Sequence, residues 1–391
     1  MLCGLQKSIV WPLLAMTVIA GARFYEQTST AKISTLTLEN YGWQPLPKRQ
    51  HGEWPGTSSR LVWFDHEDRV LVGFSAREST DLATRDRPGL SLHILRFTHD
   101  GKLDLSLVLP TKDYFANGLY LGPNDQILAR ANESLQILVG ENQDPQTLAW
   151  KVLASCSDNC RIHQSQSRRT LIISESQDGL GHSSAWPTAD SSYTIIDLSV
   201  PAPAVLRTCS QMALYAEIIT DKFAYWPVYD KDDNLTVRFS FCDVDHPQEL
   251  ALGRGGILVP LNDDAFLLLG PMGKDSRGGV KLVGSDGRVK FRSELPKHDT
   301  PSHYAGDWAA SDERGGRFAF TVETWRGGSR ALDISGKKTA RRVVVYSETG
   351  QELASVPVST MYHRDFDFAL SPDGHRLAIL DENVLMIIDL K

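Results

Sequence analysis

Residues 365–391 read DFDFALSPDGHRLAILDENVLMIIDLK, and this stretch decides the fold. Phe366, Phe368 and Leu370 alternate with polar or small residues, the period of a strand with one buried face. Ser371-Pro372-Asp373-Gly374 then supplies turn chemistry: proline fixes φ, aspartate bonds within its own turn, and glycine accepts positive φ. A second strand runs from Leu377 to Leu380, and Asp381-Glu382-Asn383 turns the chain again. Val384 to Leu390 follows as a nearly continuous apolar run, with the length and β-branched content of a buried strand.

The same order of events recurs upstream. Its clearest marker is the second strand of each unit: Val70 to Phe74, Ile127 to Arg130, Thr170 to Ser174, Phe223 to Trp226, Phe266 to Gly270, Phe318 to Val322 and Leu377 to Leu380. Those starts lie between 43 and 59 residues apart, and turn residues such as Asp65-His66-Glu67-Asp68, Pro123-Asn124-Asp125 and Asp312-Glu313-Arg314-Gly315 precede them. Later hairpins carry glycine in HDGK (99–102), SDGR (285–288) and ETGQ (348–351). No segment shows a sustained helical period. Four-stranded units of this length predict an all-β propeller, because one blade cannot bury both faces and must pack on neighbours in a closed ring. Seven blades is the count the spacing favours, with six and eight left open by the irregular third unit, residues 161–209. The last unit holds only three strands, so the ring needs an amino-terminal strand to close it, and Ile33 to Leu38 supplies the pattern.

The segment FALSPDGHRLAIL resembles a repeat of TolB-like and WD-repeat β-propellers, the similarity extending as strand rhythm over about residues 60 to 391. That resemblance implies a rigid disc that binds proteins, peptides or glycans. It brings no catalytic residue and no cofactor with it.

Composition is that of an ordinary globular chain: 391 residues, 41% hydrophobic, formal charge -7, with Lys and Arg scattered. There is no electrostatic footprint for nucleic acid. The amino terminus, MLCGLQKSIVWPLLAMTVIAGA, has one basic residue, an apolar run from Ile9 to Ala20 and a small-x-small site, which reads as a cleaved signal peptide over residues 1–22. The run is short for a membrane span. Residues 23–59 then form an extension with the closing strand, residues 60–391 the propeller, and the mature chain an exported monomer in periplasm, envelope or medium. Export leaves Cys156, Cys160, Cys209 and Cys242, an even number in an oxidising compartment. Cys156 and Cys160 bracket a turn and could close locally, Cys209 and Cys242 then forming the other pair; other connectivities stay open.

Motifs for a serine hydrolase elbow, a zinc helix, a phosphate loop and a dinucleotide fold are absent, and nothing marks a resident cofactor. In a propeller the connections that lead into each first strand gather at one mouth of the channel. Here they carry Tyr114, His163, His303, Tyr304, Asp307, His363, Arg364 and Asp365, the ligand-binding candidates. Imidazoles and carboxylates converging there suit ligand binding or, in the alternative reading as a propeller lyase, lactonase or hydrolase, a metal or an acid and base. The binding disc is the preferred reading and the enzyme the alternative. Asp230-Lys231-Asp232-Asp233-Asn234 lacks the glycine and distal glutamate of a calcium loop and reads as a solvated hairpin tip.

Overall fold

A computed structural model describes residues 33–43, 57–77, 90–111, 119–131, 133–139, 149–156, 160–165, 167–175, 192–200, 204–209, 218–219, 224–232, 234–240, 248–254, 257–262, 264–271, 278–294, 302–326, 337–359 and 367–391. These residues form seven four-stranded antiparallel sheets. β1 (Ile33–Thr37) stands apart in sequence and joins the last sheet. Blade one holds β2 (Thr57–Phe64), β3 (Val70–Arg77), β4 (Leu90–Phe97) and β5 (Leu103–Thr111); blade two holds β6 (Leu119–Leu121), β7 (Ile127–Ala131), β8 (Ser134–Val139) and β9 (Ala149–Ser155). Blade three holds β10 (Cys160–Gln164), β11 (Thr170–Glu175), β12 (Ser192–Asp197) and β13 (Ala204–Cys209); blade four holds β14 (Ile218–Ile219), β15 (Ala224–Tyr229), β16 (Asn234–Ser240) and β17 (Gln248–Arg254). Blade five holds β18 (Ile257–Asn262), β19 (Ala265–Pro271), β20 (Gly278–Gly284) and β21 (Val289–Glu294); blade six holds β22 (Ser302–Ser311), β23 (Arg317–Arg326), β24 (Lys337–Ser347) and β25 (Glu352–Val358). Blade seven is β26 (Phe368–Leu370), β27 (Arg376–Asp381) and β28 (Val384–Asp389), with β1 on its outer edge.

The expected rhythm is met within one residue at the start of every second strand. The third unit, irregular in sequence, is an ordinary blade of four strands.

Why the second strands read as continuous apolar runs is visible in their burial. Val70, Val72, Phe74 and Ala76 of β3 pack toward blade seven, whereas Leu71 packs toward blade two. Ala265, Leu267 and Leu269 of β19 face blade six, and Phe266 and Leu268 face blade four. Each such strand is buried on both faces, so the polar half of the usual alternation disappears. Apolar clusters of this kind join blades one and two, two and three, four and five, five and six, six and seven, and seven and one. Blades three and four touch through β10 and β14, which completes the ring.

Closure follows the sequence expectation. β1 pairs antiparallel with β28 from Ile33 opposite Ile388 to Thr37 opposite Val384. A short 3-10 turn, Leu38–Tyr41, then carries the chain onto blade one: Leu38 is buried, Trp43 packs edge-on against Phe74, and Tyr41 against Phe97. An amino-terminal strand and the carboxy-terminal strands therefore share one hydrogen-bonded sheet.

Cys156 and Cys160 form a disulfide with Cα atoms 5.2 Å apart, buried between blades two and three where the chain crosses from β9 to β10.

Leu38→Ala is expected to destabilise the protein by about 2–4 kcal/mol through the cavity it leaves at the closure. A shifted denaturant midpoint at unchanged slope checks it.

Candidate functional site

In each blade the first strand lines the axis and ends in the turn to the second, so these first turns gather at one mouth, termed lower here. The described ones read Asp65–Arg69, Gly122–Gln126, Ser165–Arg169, Asp312–Gly316 and Ser371–His375. They are tight turns built on local side-chain bonds. Asp65, only 1% exposed, accepts from the backbone N–H groups of Glu67 and Arg69 and from Arg69 Nε; Ser371 Oγ donates to Asp373 and accepts from the Arg376 N–H.

These turns are tied to one another around the axis. Gln164 Nε2 donates to the Leu121 carbonyl at 2.9 Å, joining blades three and two. The His66 N–H donates to Asp125 Oδ1 at 3.0 Å, joining one and two. Arg376 lies 3.3 Å from Asp68 Oδ2, joining seven and one. Arg317 Nη1 donates to the Gly374 carbonyl at 2.8 Å and the Glu313 N–H to the Pro372 carbonyl at 3.2 Å, joining six and seven. Ser311 Oγ donates to the Leu261 carbonyl at 3.0 Å, joining six and five. Gly374, at φ 74°, allows the closest of these approaches, because a Cβ there would lie 2.8 Å from Asp312 Oδ2.

One contact skips a blade. The His66 ring places Nδ1 2.9 Å from Asp125 Oδ1 and Nε2 2.7 Å from Glu313 Oε1, bridging blades one, two and six past the turn of blade seven. With carboxylate oxygens at both nitrogens, the imidazole donates to both only when it carries two hydrogens. Arg168, from blade three, completes the cluster with a left-handed backbone at φ 65°. Burial lowers its guanidinium from the ordinary value, and the charges of Asp125, Glu313 and Asp65 oppose that. Among the described residues its Nη1 is enclosed without a hydrogen-bond partner. The resulting arrangement is a polar clasp across the lower mouth, with exposure from 16% at Asp125 through 39% at His66 to 51% at Glu313. Beside it burial pushes the Asp312 carboxyl up, against the N–H groups of Arg317, Gly316 and Gly315 that favour its charged form.

The sequence-derived candidates are distributed differently. His163 lies inside β10, half-buried and one residue before the strand ends at Gln164, and not in the connection leading into that strand. It belongs with the lower mouth because a first strand delivers its last residues there. His303, Tyr304 and Asp307 occupy β22, with His303 opposite Thr324 and Tyr304 opposite Glu323, and a register shift between Ala305 and Ala309 bulges the strand around Asp307. His303 is the second residue of its strand and so stands at the upper end, away from His163. Tyr114, His363, Arg364 and Asp365 lie outside the described residues. Cys209 ends β13, and Cys242 lies outside the described residues. The acidic tip at Asp230 is a self-bonded turn: Asp230 accepts from the N–H groups of Asp232 and Asn234 and from Asn234 Nδ2, and the Asn234 bonds hold its carboxyl below the usual range. Among the described residues no group of three His, Cys, Asp or Glu is placed to hold a metal ion.

The clasp escaped the sequence reading. Asp65, His66, Asp125 and Glu313 were legible as turn residues, but nothing local says that turns from blades one, two, three and six meet.

No family model matches this chain, and no curated protein does. Solved structures do. It is similar to hydrazine synthase from Kuenenia stuttgartiensis (13% identity, 77% of this chain and 92% of that chain, TM-score 0.42). It is also similar to a TolB from Agrobacterium tumefaciens described as putative (12%, 73% and 94%, TM-score 0.37) and to a gluconolactonase from Xanthomonas campestris (13%, 95% and 93%, TM-score 0.35). Likeness at this distance concerns chain path and carries nothing about activity.

Two outcomes are expected at the clasp. A double-mutant cycle on His66→Ala and Glu313→Ala, read by urea unfolding, gives a favourable coupling of about 0.2–1 kcal/mol, the range for solvent-exposed pairs. For Asp312, a folded carboxyl held above its unfolded value is a burden once charged. The wild type therefore gains stability relative to Asp312→Asn as pH falls from neutral through that raised range, with no further gain below the unfolded value of 3.8; parallel pH profiles of the two proteins check the sign.

Proposed function

We propose that this chain is an exported binding disc that holds a protein, peptide or glycan partner on its upper face. The observation behind this reading is the inequality of the two faces. On the lower face the described first turns are short and bond to one another around the axis. From the upper ends the chain leaves for residues 78–89, 176–191 and 327–336, each tethered to a pair of hydrogen-bonded strands. Long connections on a rigid scaffold are the usual carriers of recognition. Trp186, within the second of them, is a large amphipathic group of the type that anchors interfaces. A partner bound there meets residues His303 and Tyr304 at the upper end of β22.

Export is part of the same reading. The amino-terminal segment has the signal pattern, and the buried Cys156–Cys160 disulfide suits an oxidising compartment.

A second reading has its own observation. The register of β22 shifts between Ala305 and Ala309, the stretch that holds Asp307, and bulges recur beside active sites. In that reading His303 and Asp307 act on a substrate in the channel.

The two are separable. Mature protein immobilised on a support is expected to retain a partner from envelope or culture-medium extract. Replacing residues 176–191 by a short glycine-serine turn abolishes retention, whereas His66→Ala leaves it intact. Equal retention by all three sinks the upper-face reading. A stoichiometric metal in protein purified without chelator, lost in His303→Ala, favours the enzyme instead.

A further inference from the structure

Two cations at the lower mouth can meet the same carboxylates in different ways. His66 faces oxygens with both ring nitrogens, Nδ1 2.9 Å from Asp125 Oδ1 and Nε2 2.7 Å from Glu313 Oε1. An ionised carboxylate only accepts, so both contacts are hydrogen bonds only while the ring carries two hydrogens and a positive charge. The Arg168 guanidinium brings five N–H donors, and among the described residues its enclosed Nη1 has no hydrogen-bond partner. Asp125, Glu313 and Asp65 attract it electrostatically. Of these three, Asp65 is already engaged by Arg69 Nε and by the N–H groups of Glu67 and Arg69.

Loss of one ring proton does not fall evenly on the two contacts. Asp125 is held from two directions, because the His66 backbone N–H donates to the same Oδ1 at 3.0 Å and the Asp125 N–H is itself bonded to the Gly122 carbonyl. The remaining hydrogen therefore stays on Nδ1, and Nε2 turns a lone pair toward Glu313. Glu313 can leave: its N–H anchors the backbone to the Pro372 carbonyl, while its side chain is half exposed. Charge favours the same outcome. Protonated His66 and Arg168 together balance Asp125 and Glu313; once the ring is neutral, two carboxylates share one cation. The other charges on these four turns are engaged elsewhere or face solvent: Asp65 and Glu67 pair with Arg69, Asp68 pairs with Arg376, Asp312 accepts from the Gly316 N–H, and Arg169 and Arg314 are exposed.

We propose that the lower mouth is a pH-operated latch in which Glu313 exchanges partners. With His66 protonated, the Glu313 carboxylate ties blade six to blade one. When the ring gives its Nε2 proton to water, that carboxylate swings to the donors of Arg168 and ties blade six to blade three. Imidazole is the side chain whose charge changes between about pH 5 and 8, so the ring sets the state. The backbone bonds of the turns, Arg168 N–H to the Ser165 carbonyl and Glu313 N–H to the Pro372 carbonyl among them, persist in both states, and the movement is confined to side chains. The latch lies on the face opposite the long connections and is independent of what they hold.

Double-mutant cycles read by urea unfolding at about pH 5.5 and about pH 8.5, either side of the imidazole range, test the exchange. Each cycle closes at a single pH, so the titration of Asp312 cancels. The His66→Ala, Glu313→Gln pair is expected to couple at the lower pH, by about two- to fivefold in the unfolding constant, and not at the higher. The Arg168→Met, Glu313→Gln pair is expected to do the reverse. Equal coupling of His66 to Glu313 at both pH values overturns the latch, and no coupling of Arg168 to Glu313 at the higher pH overturns the transfer. Nitrogen-15 spectra of histidine-labelled wild type, with the His66 signals identified by their loss in His66→Gln, keep the test open where an Arg168 variant fails to fold. Both ring nitrogens are expected to carry hydrogen at about pH 5.5 and Nδ1 alone at about pH 8.5. A hydrogen on Nε2 with Nδ1 bare at the higher pH overturns the proposal.

Discussion

Each blade of this protein is a sheet with two apolar faces, and a sheet of that kind has no stable existence alone. Val72 and Leu71, adjacent in β3, pack against blades on opposite sides. The constraint on the whole structure is therefore closure: remove one interface and two apolar faces meet water, at about 25 cal/mol for every Å² exposed. β1 on β28 is the point where that constraint is met by the two ends of the chain, in five paired residues. The 3-10 turn after β1 extends the same closure onto blade one, so the seam is a strand pairing and a core packing at once.

Closure also explains why the polar clasp can exist. Charges near an axis are costly unless compensated, and the first turns of the blades bring compensation from several directions. Arg168, carried by blade three, lies within electrostatic reach of Asp65, Asp125 and Glu313 from three other blades. His66 joins two carboxylates that belong to blades two and six. Such a cluster adds little apolar burial. What it adds is register, since each side chain finds its partner only when all the blades hold their places; that role is a specificity argument, with the energy residing in the apolar interfaces.

How much of this could be read from the residues follows from the range of each signal. Ser371-Pro372-Asp373-Gly374 announces its turn because the bonds that stabilise it lie within five residues, as the Ser371 and Asp373 contacts show. The strands were legible for the same reason, and even the closing strand, far in sequence from β28, betrays itself by alternation. His66 is different. Its sequence neighbours describe a turn, while its partners lie 59 residues away at Asp125 and in blade six at Glu313. His163 reads from sequence as part of a connection because the strand around it, Cys160–Gln164, is too short to show a period. For His66 the deciding contacts are between blades, where sequence separation hides them.

The rim shows the opposite case, in which a repeated architecture makes a distant pairing legible once a few copies are known. Gly101, Gly287 and Gly350 share no partner, yet each meets the outer strand of the blade before it in the same way. A ring of equivalent units turns one observed contact into a rule for all of them, because the neighbouring blades pack by the same faces.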